Sequence, residues 1–100
     1  MISSVSLSTL VSGLSAQSRV AETAANNIVN VTTDGYQAQQ GQVVSKPLHG
    51  AEYVPLPSEG EVDLGREIVA LSQAKHSYAA AAKAFSSIEK TEKRALDALA

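Results

Sequence analysis

The side chains able to do chemistry are few and scattered. His49 and His76 are the natural candidates for zinc ligation or proton transfer, but neither sits in a His-Glu-x-x-His pattern with carboxylates nearby. Both read as plain surface or packing histidines. Asp63 and Glu67 are spaced i, i+4, and general acid–base work by such a pair needs one desolvated member. A solvated helix start is the far better account of them. Gly60 and Gly65 have the separation of a phosphate loop's glycines, yet Arg66 follows where Lys and then Ser or Thr belong. Asn30-Val31-Thr32 fits a glycosylation triplet, a coincidence in a chain whose opening lacks a secretory pattern. The absence of cysteine removes disulfides, thiolate metal sites and thiol nucleophiles together. The expectation is a protein that is not an enzyme, with no catalytic residue, no metal, no cofactor and no small-molecule substrate.

Composition narrows the class further. One hundred residues make one small domain; hydrophobic residues are 44% of the chain and aromatics only 4%, with alanine prominent among the rest. Alanine buries little area, so a thick private core is not expected. Eight basic against ten acidic residues is too even a balance for a nucleic-acid footprint. The first basic residue is Arg19, and no apolar run approaches the roughly 20 residues of a membrane span. Such a chain is cytoplasmic or leaves by a route that reads something other than a cleaved signal.

The elements that must position these residues fall into three zones. Over residues 6–31, Leu7, Leu10, Leu14, Ala21, Ala24, Ile28 and Val31 recur at threes and fours, interrupted by Gln17, and predict an amphipathic helix. Ser8, Ser12, Ser15, Ser18, Arg19 and Glu22 form its opposite, polar face. Asn26, Asn27 and Asn30 compete for backbone hydrogen bonds, and Asp34-Gly35 is a turn dipeptide, so the helix stops and the chain changes direction there. From residue 36 to 61 the periodicity dissolves among Pro47, Pro55, Pro57, Gly41, Gly50 and Gly60. This stretch reads as an irregular linker with short extended pieces at Val43-Val44 and Tyr53-Val54. From residue 62 to about 98 a long helix is expected, with Leu64, Ile68, Leu71, Tyr78, Ala82, Phe85, Ile88 and Leu99 on its ladder and Asp63 in its first turn. At 1.5 Å per residue the two helices are about 38 and 50 Å long.

The predicted fold is therefore all-α: an antiparallel hairpin or coiled coil of two amphipathic helices, with segments 1–35, 36–61 and 62–100. Two helices cannot hide both stripes, and no cysteine or ligand cluster is available to stabilise the pair, which leaves association with other chains. Ala79, Ala80, Ala81 and Ala82 fit close helix approach, about 8 Å between axes. The forecast is a hairpin poorly ordered alone and completed by neighbours.

Two stretches carry a resemblance. Val11-Ser-Gly-Leu-Ser-Ala-Gln17 and Ala25-Asn-Asn-Ile-Val-Asn-Val-Thr-Thr-Asp-Gly-Tyr36 resemble the opening helix and Asn-rich close of the bacterial flagellar rod and hook axial proteins. Val62-Asp-Leu, Glu67-Ile-Val-Ala-Leu, Gln73-Ala, Ser77-Tyr78 and Ala82-Lys83 are similar to the family's terminal helix. The short length and Tyr53-Val54-Pro55 look most like a proximal-rod subunit, although the middle segment is shorter than proximal-rod proteins ordinarily carry. The resemblance implies a subunit of the basal-body rod in the periplasm, assembled helically with its own copies and sister axial proteins. It implies export by the flagellar type III apparatus without a cleaved signal, through a Phe-x-x-x-hydrophobic pattern whose positions here are Leu7 and Val11. It also makes Asn26, Asn27, Asn30, Thr33, Gly35 and Tyr36 the family's turn motif. The expected packing seam is Leu7, Leu10, Leu14, Ile28, Val31, Leu64, Ile68, Leu71, Tyr78, Phe85 and Ile88. The alternative reading is a cytoplasmic helical adapter or secretion chaperone that dimerises through the same stripes.

Overall fold

The structure, a computed structural model, describes residues 4–100, with side chains from residue 6 onward. The first three residues of the expected 1–35 segment lie outside the described residues. Helix α1 spans Ser4–Val29, strands β1 and β2 span Gln40–Lys46 and Gly50–Leu56, and helix α2 spans Leu64–Leu99. The molecule measures 63 × 24 × 14 Å, a rod whose length is set by the 36 residues of α2.

The helices obey the 3.6-residue pattern and end by visible chemistry. After Val29, a run of short turns (Val31 N–H to Ile28 O, Thr33 N–H to Asn30 O, Tyr36 N–H to Thr33 O) unwinds α1, and Gly35 takes φ +75°. Val31 therefore sits in the turn rather than on the helix. Asp63 is the N-cap of α2: its carboxylate accepts the Arg66 N–H at 3.1 Å. The two helices pack against each other antiparallel. Thr23 and Ala24 lie by the start of α2, whereas Gln17 and Val20 lie by Ala70, Ala74 and Ser77.

The fold is mostly helical, but the expectation of an all-α chain with an irregular middle needs correction. Residues 40–56 form an antiparallel β-hairpin in which Val43 faces Tyr53 and Val44 faces Glu52, so the two short extended pieces are partners in one ladder. The ladder's alternation explains why Pro55 does not break it. Ala51 points its N–H away from β1 to Ser12 Oγ at 3.0 Å, so the Ser45–Ala51, Val43–Tyr53 and Gly41–Pro55 pairs make no hydrogen bonds across the hairpin. Pro55 thus stands where an N–H would point outward in any case. Beyond the strands, Ala38 N–H to Gly60 O and Glu59 N–H to Ala38 O continue the pairing. The tip, Lys46-Pro47-Leu48-His49, has Pro second and a positive φ of 68° third, the type II pattern, with His49 N–H bonded to Lys46 O.

The core lies where α1, α2 and the hairpin meet. Ala16, Ala24, Ala38 and Ala74 are its buried apolar residues, and Asn27, fully buried, is its largest member among the described residues. Alanines bring the backbones together but remove little apolar surface from water.

Candidate functional site

The most constrained chemistry is at the C-terminal end of α1. Asn27 donates from Nδ2 to Gln39 O at 2.9 Å, and its Oδ1 accepts both the Gln39 N–H and the Tyr36 hydroxyl at 2.8 Å. The side-chain amide thereby copies the two bonds that a neighbouring strand would make to Gln39. Burial without these partners would cost on the order of 1–3 kcal/mol. Around it, Asn26 Nδ2 reaches Tyr36 Oη at 3.3 Å, Asn30 Nδ2 donates to Asn26 O, and Thr33 Oγ1 donates to Asn30 Oδ1. With Gly35 supplying the positive φ, the six expected turn residues are brought into one network.

Two more polar contacts pin the hairpin to α1. Ser12 Oγ donates to Thr9 O and accepts from Ala51 N–H, and Thr23 Oγ1 and Tyr53 Oη share a 2.7 Å hydrogen bond. The Arg19 guanidinium lies 5.2 Å above the Tyr53 ring. A Cβ at Gly41 would collide with the hydroxyl end of the Tyr53 ring, so only glycine lets the tyrosine lie there. Ser12 and Arg19 therefore do not belong to a purely solvated face. Sequence reasoning also missed Thr23, Gln39, Gly41 and Tyr53, and the one available signal was a Gly and a Tyr on strands able to face each other.

The expected seam residues divide. Leu7, Leu10, Leu14, Ile28, Leu71, Phe85 and Ile88 are half-buried within the chain. Val11, Val31, Leu64, Ile68 and Tyr78 are exposed, and Leu64, Ile68, Leu71 and Tyr78 form one flank of α2, about 80° around the helix from buried Ala74. His49 is exposed at the hairpin tip and His76 is exposed on α2. Asp63 and Glu67 line an open cleft of about 250 Å³ with Glu59, Glu61 and Arg66. Among the described residues no group of three or more His, Asp or Glu is placed to hold a metal ion. No described helix is long and apolar enough to cross a membrane.

An amide-clamped turn thus closes a helix whose apolar residues stay partly exposed in the single chain. In comparison with protein families, residues 7–37 match the flagella basal body rod protein family. The match takes in most of α1 together with Asn27 and Tyr36 of the clamp, and over that stretch the resemblance to the flagellar rod proteins holds. The match supports a structural role in the flagellar basal body, alongside other axial proteins. No curated protein matches the chain.

Proposed function

We propose that this chain is a subunit of the proximal part of the flagellar rod. It assembles helically with copies of itself and with sister axial proteins into a hollow, torque-carrying shaft. Segments 1–35 and 62–100 act as the axial helix pair and segment 36–61 as an arm held at a fixed angle by the Asn27 clamp. Leu7 and Val11 serve the export apparatus before assembly, and no cleaved signal is used.

The observation that carries this reading, beside the family match, is how little of the large apolar surface one chain covers. Ile68 is 53% exposed and Val69 55%, while every buried apolar residue among the described residues is an alanine. Contacts between a patch on one copy and a different patch on the next propagate into a helical array. The test is mass spectrometry of purified hook–basal bodies together with fractionation. The chain is expected in the basal-body pellet; a chain confined to the cytoplasm would favour the adapter or chaperone and overturn the rod assignment.

A further inference from the structure

The hairpin's two outer edges are not equivalent. On β2, the outward N–H of Ala51 is taken by Ser12, and Pro55 has none to offer. That edge is closed to strand pairing except at Tyr53. On β1, Gln39 is taken by Asn27, but the same alternation turns the N–H and C=O groups of Gly41, Val43 and Ser45 outward, and no described residue bonds to them. An open strand edge is a template for another extended chain. Beside it lie two adjoining hollows that share Val20 and Ala70. Gly41 borders the one lined by Glu59, Glu61, Asp63 and Glu67, and Val43 borders the one floored by Ala70 and Ala74. Against those four carboxylates stands Arg66, a net of −3 from 1 − 4.

We propose that the outer edge of β1 receives an extended segment of a neighbouring axial subunit. Small or apolar side chains of that segment lie over Val43, Ala70 and Ala74, and a lysine or arginine meets the acidic hollow. The charge of that hollow argues for a sister subunit over a second copy. The extended stretch of this chain after β2 carries Glu59 and Glu61 and would be repelled. Pairing through β1 of a second copy would close a two-fold dimer and could not propagate. The inference rests on the reading of the chain as a rod subunit.

The experiment replaces outward-facing residues with proline, which removes an N–H from the open edge and none from the hairpin ladder. The full-length wild-type chain, Val43→Pro, Ser45→Pro and Ser45→Ala are each expressed in cells lacking the native copy, and the amount pelleting with purified basal bodies is measured. The proline variants are expected to fall about ten-fold, the equivalent of one or two backbone hydrogen bonds per contact, with Ser45→Ala unchanged. Proline variants that pellet like wild type would overturn the inference while leaving the rod reading intact. Wild-type chain missing from the pellet would overturn both. Hydrogen exchange of wild-type chain in the pellet provides a reading that needs no variant. The Val43 and Ser45 amides are expected to be as slow as the inward-bonded Val44 amide, and rapid exchange at Val43 and Ser45 alone would defeat the proposal.

Discussion

The junction of α1 with the hairpin and the outer flank of α2 are built by opposite rules. At the junction the fit is polar and complete: Asn27, Ser12, Thr23 and Tyr53 are all matched, and among the described residues no buried side-chain nitrogen or oxygen lacks a partner. On α2, Leu64, Ile68 and Tyr78 lie exposed in a row, no residue after Ala74 is fully buried, and beyond Ile88 only Glu92 is even half-buried. The difference separates two jobs. Directional hydrogen bonds fix the angle of the arm within one chain, because their geometry tolerates little deviation. Under the proposed rod reading, the non-directional apolar contacts would form between subunits, where they scale with the area that neighbours cover.

Ile68→Asp tests this division most strongly. More than half exposed in the single chain, Ile68 contributes little to folding, so the variant's helix content by circular dichroism is expected to match wild type. In an assembled seam the added carboxylate would be buried without a partner, at a cost of several kcal/mol per contact, and swimming should be abolished. Normal motility would remove the α2 flank from the seam. Leu71 is a less decisive site, because it is half-buried and its loss would confuse folding with assembly.

Asn27→Ala attacks the other side of the comparison. It leaves the Gln39 N–H and C=O and the Tyr36 hydroxyl without their buried partner and is expected to destabilise the chain by about 2–4 kcal/mol, read as a lower urea midpoint. A loss below about 0.5 kcal/mol would mean that water replaces the amide and that the clamp does not set the arm.

Legibility in the sequence follows the same line. The helices could be read because their apolar residues repeat with the period of the element, and the turn at Gly35 because it needs a particular residue type at one place; Asp63 was read as a first-turn charge, whereas it stands one residue before α2 as its cap. The hairpin could not. Its apolar pairs are short, and Gly41, Gly50 and Pro55 look like breakers until the alternation of the ladder shows Pro55 facing outward. Asn27 was recognisable as a turn residue but not as a clamp, because its partners lie twelve and nine residues away and the bonds depend on how the chain folds back. Ser12 and Thr23 were hidden for a related reason. A hydroxyl on a helix looks the same in sequence whether it faces water or a strand.

The turn itself offers a finer test of the junction. Nothing stands within 4 Å of a Cβ added at Gly35, so only the φ of +75° opposes a substitution there. Gly35→Val is expected to cost about 1–2 kcal/mol and Gly35→Asn clearly less, since asparagine enters the left-handed region far more readily. Equal urea midpoints for the two variants would show that the turn adapts and does not depend on this conformation.

The smallest effect is expected at the hairpin tip, where the two rules meet in one residue. Leu48 holds φ +68° in the place a type II turn usually gives to glycine, and it is 89% exposed, so it gains almost no burial within the chain to offset the strain. Leu48→Gly should therefore raise the urea midpoint slightly, by the equivalent of about 0.5–1 kcal/mol, the relief of the left-handed backbone less the added freedom of the unfolded glycine. A lowered midpoint would mean that the Leu48 side chain packs within its own chain after all, and the tip would then belong with the junction rather than with the surfaces left for neighbours.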